Sequence, residues 1–314
     1  MLGHCETLEL LSGNAINSVA QISEDLLVVA DRDVGLRWLT RDLAETTVPN
    51  TVGAFDVKYR QSDGLVYWTD WGATTDQDGL WRAAPESLDG KERLFSGNAS
   101  RQLVVDADGV YFIDDGQRAV MAYLDEDGGE ETKRIVDEDE VIATIATDGD
   151  FVYWSRVDFV GDPIPGVFRA PKRTPSGGVQ VSGVSARSLL VADGYLYITE
   201  GGDSDVFSDC LGVGSVLRIA VTSGGVGSAE TLADQEACPR NLAVDADYVY
   251  WTLHELGPGG AIRRSPRHCD PEPSTVAFGL ALPMALNVGA DAIFFVEDDK
   301  PERRVTLTTK RPDP

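Results

Sequence analysis

Short apolar runs, each led by a turn rich in Asp and Gly, recur along the chain. Three of them read Ser62-Asp63-Gly64-Leu65-Val66-Tyr67-Trp68, Asp106-Ala107-Asp108-Gly109-Val110-Tyr111-Phe112 and Asp148-Gly149-Asp150-Phe151-Val152-Tyr153-Trp154. The run returns as Ala192-Asp193-Gly194-Tyr195-Leu196-Tyr197-Ile198 and Asp245-Ala246-Asp247-Tyr248-Val249-Tyr250-Trp251. Weaker copies stand at Glu24-Asp25-Leu26-Leu27-Val28 and Asp291-Ala292-Ile293-Phe294-Phe295. Anchored on Leu27, Tyr67, Tyr111, Tyr153, Tyr197, Tyr250 and Phe294, successive copies lie 40 to 53 residues apart. A period of that length marks a repeat architecture.

Each period reads as four strands. An apolar strand such as Leu103-Val104-Val105 enters the hairpin, where Asp-Gly is expected to supply the positive backbone angles of a tight turn. The anchor strand follows, then a variable loop, a third strand such as Gly79-Leu80-Trp81-Arg82, and a fourth such as Lys133-Arg134-Ile135-Val136. No 3.6-residue apolar stripe runs for three turns with caps, so almost no helix is expected. Four short strands cannot bury both faces of a sheet alone, and repeats of this kind close radially. The last copy holds only three strands, about 284–288, 293–296 and 304–308. The segment Leu10-Leu11-Ser12-Gly13-Asn14-Ala15 nearly duplicates Leu94-Phe95-Ser96-Gly97-Asn98-Ala99, which lies on a fourth strand. The N-terminal strand, 7–11, is therefore expected to complete the last blade. The prediction is an all-β, seven-bladed β-propeller of four-stranded antiparallel blades in one domain, 1–314. Its blades are expected near 17–48, 55–95, 101–136, 143–181, 187–232, 240–278 and 284–309.

Tyr67-Trp68-Thr69-Asp70 resembles the signature of the YWTD propeller repeats of LDL-receptor-like proteins. Degenerate versions stand at Tyr111-Phe112-Ile113-Asp114, Tyr153-Trp154-Ser155-Arg156, Tyr197-Ile198-Thr199-Glu200 and Tyr250-Trp251-Thr252-Leu253. The resemblance implies a YWTD-like propeller, although that family has six blades where seven are counted here. The aromatic residues of the signature are expected to fill the wedges between blades.

Charge then narrows the partners. The chain's 52 acidic and 27 basic residues give a formal charge of -25, which repels phosphate backbones and removes nucleic acid from the expected partners. No apolar run approaches the length of a membrane helix, so no spanning segment is expected. The 4 cysteines sit so that the propeller would pair Cys210 with Cys238 and Cys5 with Cys269. Such bridges fit an oxidising compartment, and an extracellular, periplasmic or cell-envelope location is expected, with the signal sequence absent from this chain.

Candidate chemistry is sparse. Of the 3 histidines, only His254, beside Glu255, falls on a loop where propeller enzymes place catalytic groups, and a histidine in such a polar loop is expected to face solvent. No HExxH, GxSxG, Walker or Rossmann pattern is present. Aligned on the anchors, Arg101, Arg187 and Arg240 share a site at the start of the innermost strand. Asp70, Asp114, Glu200 and Glu297 share another at the end of the second strand, a site occupied by Arg156 in the fourth blade. These charges can either select an anion or pair with each other across blades. Asp203 and Asp205, in the long loop beside Cys210, are the weak calcium candidates; no cofactor is otherwise expected. Trp71, Phe159 and Phe207 place aromatic rings in long loops of the same face.

The resulting expectation is a non-catalytic binding propeller, monomeric, contacting a protein, peptide or carbohydrate with the face that carries these loops. The alternative is a propeller hydrolase or lyase using carboxylates at the channel mouth, a divalent cation and His254 as acid or base.

Overall fold

The computed structural model describes residues 7–71, 78–85, 87, 90–126, 129–138, 141–157, 166–173, 178–201, 212–255, 257–268, 270–299 and 301–310. The chain is all-β: seven four-stranded antiparallel sheets, the blades of a propeller. Six blades take their strands in sequence order. Among the described residues helix is confined to 3₁₀ turns such as Gly257–Gly259.

Residues 17–185 form one compact unit with four blades. Blade 1 holds β1′s successors β2 (Ile16–Ser23), β3 (Leu26–Asp31), β4 (Gly35–Thr40) and β5 (Glu45–Thr47), where β1 is Thr7–Gly13. Blade 2 holds β6 (Ala54–Arg60), β7 (Leu65–Asp70), β8 (Gly79–Ala83) and β9 (Glu92–Ser96). Blade 3 holds β10 (Ala99–Val105), β11 (Gly109–Asp114), β12 (Ala119–Glu126) and β13 (Gly129–Asp137). Blade 4 holds β14 (Val141–Thr147), β15 (Phe151–Val157), β16 (Gly166–Pro171) and β17 (Val179–Ser182).

The other unit comprises the N-terminal segment up to residue 16 and residues 186–314. Blade 5 holds β18 (Ala186–Ala192), β19 (Tyr195–Glu200), β20 (Val213–Thr222) and β21 (Gly225–Ala237). Blade 6 holds β22 (Pro239–Val244), β23 (Tyr248–Leu253), β24 (Gly260–Pro266) and β25 (Ser274–Leu280). Blade 7 holds β26 (Pro283–Val288), β27 (Ala292–Asp299) and β28 (Glu302–Thr309), and its outer place is taken by β1, paired antiparallel from Thr7↔Thr308 to Gly13↔Arg303. The N-terminal strand thus covers an edge that would otherwise expose unpaired backbone.

The anchor aromatics are core. Tyr67, Tyr111, Tyr153, Tyr197, Tyr250, Trp68, Trp154 and Trp251 are all buried, and all but Tyr153 stand in the apolar clusters that join one blade to the next within each unit. Their hydroxyls carry a second role. Tyr67 donates to Asp63 at 2.6 Å, Tyr153 to Asp148 at 2.6 Å and Tyr250 to Asp245 at 2.8 Å. The anchor is thereby tied to its own hairpin, and burial pushes each of these phenols well above the ordinary tyrosine range.

The hairpins correct one expectation. Gly64 and Gly194 do take positive φ, 71° and 75°, but Gly109 and Gly149 do not stand among the positive-φ residues. There the turn is built by the preceding Asp. Asp106 Oδ1 accepts the Asp108 and Gly109 N–H groups at 2.9 and 3.1 Å, and Asp148 Oδ1 those of Asp150 and Phe151 at 2.8 and 2.7 Å. Asp245 repeats the device without any glycine, accepting from Asp247 and Tyr248. A carboxylate that satisfies two turn donors removes the need for a left-handed residue.

The same aspartates anchor neighbouring blades. Lys172, just past β16, reaches Asp106 at 2.6 Å, and Lys310, just past β28, reaches Asp245 at 2.7 Å. Arg267, just past β24, pairs with Asp193. Burial alone would raise Asp245, yet the Lys310 bond and the turn N–H groups outweigh it and hold the carboxyl at about 2.

Candidate functional site

At the other end of the blades, most first strands carry a bulge near their start, between Ala54 and Val57, Ala99 and Leu103, Ile142 and Thr144, Ala186 and Ser188, Pro239 and Leu242, and Met284 and Asn287. A bulge re-aims the residues it contains. Arg101, Arg187 and Arg240 all fall within these bulges. The side chain of Arg101 lies outside the described residues. Arg187 packs over Gly201, where a Cβ would meet its Nε at 2.3 Å, and Arg240 is likewise half-buried and engaged.

In blade 2 the bulge holds Phe55 and Asp56 instead. Asp56 turns inward, accepting from Ser18 of blade 1 at 2.7 Å, from Lys58 at 2.7 Å and from the Leu103 N–H of blade 3 at 2.9 Å. Phe55 turns toward Trp71 and meets it edge-on at 5.8 Å between centroids. Trp71 is 40% exposed, and the Arg32 guanidinium lies over its ring at 5.9 Å. Backbone bonds hold the group together: the Gly53 N–H donates to Arg32 O and the Trp71 N–H donates to Gly53 O, both at 2.9 Å. Val34 and Val52, each next to one of these segments, are also exposed. Blades 1 and 2 therefore expose aromatic and aliphatic side chains near the end of β7.

Next to Trp71 in the chain lies Asp70, the last residue of β7, only 3% exposed. Its Oδ1 sits so close to Gly53 that a Cβ there would approach to 2.2 Å, and Gly53 takes a φ of +108°. Only glycine satisfies both conditions. Burial lifts the Asp70 carboxyl to about 7, with the Lys91 charge pulling it down and Asp78 adding to the rise. Lys91 is itself lowered by burial, with Asp70 acting against that; it donates to Asn50 O and lies 5.0 Å over the Trp81 ring.

The other charges aligned with Asp70 serve the scaffold. Asp114 Oδ1 caps a turn, accepting the Gly116 and Gln117 N–H groups at 3.0 and 3.2 Å. Glu297 accepts from the Ala281 N–H and the Thr306 hydroxyl, both at 3.0 Å. Arg156 pairs with Glu138 at 2.8 Å and covers the Phe168 ring at 3.9 Å. Glu200 is half-buried at the end of β19.

His254 departs from expectation. It is 7% exposed, and its backbone N–H donates to Cys238 O at 3.0 Å: the end of β23 folds it against the link between blades 5 and 6 rather than into solvent. Glu255 beside it is exposed. Cys238 is buried and disulfide-bonded, and its partner lies outside the described residues, as do Cys5, Cys210 and Cys269. Phe159, Phe207, Asp203 and Asp205 lie outside them too. Among the described residues no group of three or more His, Cys, Asp or Glu could hold a metal ion, and no helix is long and apolar enough to cross a membrane.

Sequence reasoning singled out Trp71 and Asp70 but missed Phe55, Arg32, Gly53 and Lys91. Phe55 shares its register with the bulge arginines of three other blades only through strand pairing; counted from the anchor Tyr67 by their spacing, the position falls on Val57. The others come together only through the link from blade 1 to blade 2.

No protein-family model matches the chain, and no curated protein matches it. Solved structures do. The WD40 β-propeller domain of Doa1 is similar at a TM-score of 0.68, with 11% identity over 96% of this chain and 95% of that one. YCF48 bound to D1 peptide is similar at 0.63, with 11% identity over 98% and 95%. The CNH domain of AfRom2 is similar at 0.61, with 10% identity over 98% and 100%. These likenesses carry the fold and not the YWTD-type family: the chain is a seven-bladed β-propeller.

Proposed function

We propose that this propeller is a binding module and that the rim of blades 1 and 2 is its contact surface for a peptide segment of a protein partner. The observation that carries this reading is the exposed Trp71, held edge-on by Phe55 with the Arg32 guanidinium over its ring; Val34 and Val52, near Arg32 and Gly53 in the chain, are exposed as well. A large aromatic fixed in place offers contact area at little entropic cost, which is what interface anchors do. The aligned charges support it too, because Asp114, Glu297 and Arg156 are spent on turns and blade contacts rather than converging on a reacting group. The similar propeller YCF48 binds a peptide. A hydrolase or lyase built on His254 has less support, since that ring is buried.

Display of a random peptide library on the full chain, washed at about 0.3 M salt to screen diffuse attraction to the acidic surface, tests the reading. A consensus should emerge on the wild type and fall about tenfold or more on Trp71→Ala, a variant expected to lose about 1 to 2 kcal/mol of stability with the Phe55 contact and to stay folded. Equal enrichment on both proteins would exclude the rim as the contact surface.

The exported location belongs to the same proposal and rests on the bridges Cys210 to Cys238 and Cys5 to Cys269. Titration of the unfolded, unreduced chain with a thiol reagent should find no free thiol; four would remove the oxidising compartment from the reading.

A further inference from the structure

We propose that the rim of blades 1 and 2 reads a basic residue of its partner, an arginine or lysine side chain seated over Trp71 with the Asp70 carboxylate as its counter-charge. This deepens the binding reading and rests on it.

Three observations converge. Trp71 presents a face that already accepts a guanidinium, that of Arg32 at 5.9 Å, and the negative face of an indole ring is the best aromatic partner for a cation. Asp70 is the adjacent residue, and both lie against the same glycine: Gly53 O receives the Trp71 N–H at 2.9 Å, while Asp70 Oδ1 occupies the space a Cβ on Gly53 would need. Ring and carboxylate are thus mounted on one backbone unit. Finally, a formal charge of -25 over the whole chain speeds encounter with a cationic segment relative to an anionic one, although Arg32 and Lys91 stand at the rim itself.

The surroundings of Asp70 give the cation something to do. In blade 4 the same register position carries Arg156, whose charge is met by Glu138 at 2.8 Å. In blade 2 the corresponding carboxylate faces Lys91, whose ammonium also serves Asn50 O, and it faces the like charge of Asp78. Arg32 and Asp33 flank the Trp71 side and pair loosely with each other at 3.8 Å. With its carboxyl lifted to about 7 by burial, Asp70 is partly protonated at neutral pH. An arriving cation favours the carboxylate form, so binding expels a proton from Asp70 to solvent, and affinity rises with pH across neutrality.

The probes are N-acetyl-Ala-Arg-Ala-amide and N-acetyl-Ala-Gln-Ala-amide, titrated into the full chain while the indole N–H resonances are followed by NMR, with Trp71 assigned from Trp71→Phe. The Arg peptide should shift the Trp71 signal with a Kd about fivefold or more below that of the Gln peptide. That preference should tighten several-fold from pH 6 to pH 8. Asp70→Asn should erase both the preference and its pH dependence. Equal response to the two peptides, no response to either, or a preference that survives in Asp70→Asn would each overturn the inference. The library selection separates the two levels: a consensus that needs Trp71 but is acidic or uncharged leaves the binding rim standing and removes the basic residue.

Discussion

Blades 2 and 4 use one frame to opposite ends. Trp68 and Trp154 occupy the same register, paired with Trp81 and Phe168 on the third strands and stacked on them at 6.4 and 6.0 Å. In blade 4 the frame is closed. The Trp154 indole donates to Glu138 at 2.6 Å, and Arg156, two residues further along β15, meets the same carboxylate. Blade 6 repeats the closure, with Trp251 donating to Glu236 at 3.2 Å and Arg263 pairing with it at 2.9 Å. In blade 2 the chain supplies no glutamate. Counting back from Trp68 by the spacing that separates Trp154 from Glu138 reaches Val52, and by that between Trp251 and Glu236 reaches Gly53. The Trp68 N–H is buried without an acceptor, and the position of Arg156 is filled by Asp70. A scaffold that gives this indole N–H an acceptor in two blades and leaves it without one in a third carries an energetic cost there, and such costs collect at working sites.

The comparison can be broken most forcefully from the blade 4 side. Glu138→Ala leaves the Trp154 N–H and the Arg156 guanidinium without their shared carboxylate, and should lower unfolding free energy by about 3 to 5 kcal/mol in denaturant melts. A loss within about 0.5 kcal/mol would show that the closed frame is decorative. Asp70→Asn should act in the other direction. Because burial holds the folded carboxyl at about 7 against an ordinary aspartate value of 3.8, the folded protein holds that proton more tightly than the unfolded chain. The associated stability is complete below about pH 4 and is lost as pH rises through 7. Removing the charge should therefore change little at pH 4 and gain about 2 to 4 kcal/mol at pH 8; a variant that tracks the wild type at both would mean Asp70 does not titrate in that range. The finest test exchanges the indoles. Trp154→Phe should cost about 1 kcal/mol more than Trp68→Phe, since only the former loses a hydrogen bond; equal costs would erase the distinction between the blades.

Much of the fold was legible because its signals are local. The alternation around each Tyr anchor, the Asp-led turns and the three-strand final copy all lie within single periods, and repetition multiplies a weak cue. The turn chemistry was misread in part, because Asp-Gly suggests a left-handed glycine where Asp106 and Asp148 in fact satisfy the turn donors with their carboxylates. Of the rim, Trp71 and Asp70 stood out as an aromatic in a loop and an acid in an aligned column. Phe55 and Gly53 did not, since a bulge shifts register by an amount that composition does not reveal.

The sequence by itself determined the number of blades, the order of strands and the terminal strand that completes the last of them, because hydrophobic period and turn chemistry act between near neighbours. Tertiary structure decided which charges are spent and which are held in reserve. Asp70 and Arg156 hold the same column of the repeat, and nothing adjacent to either in the chain separates them. Glu138 lies 18 residues from Arg156 and Lys91 reaches Asn50 across 41, so desolvation and pairing arise only where separate blades meet, and those two terms set what a buried charge can do.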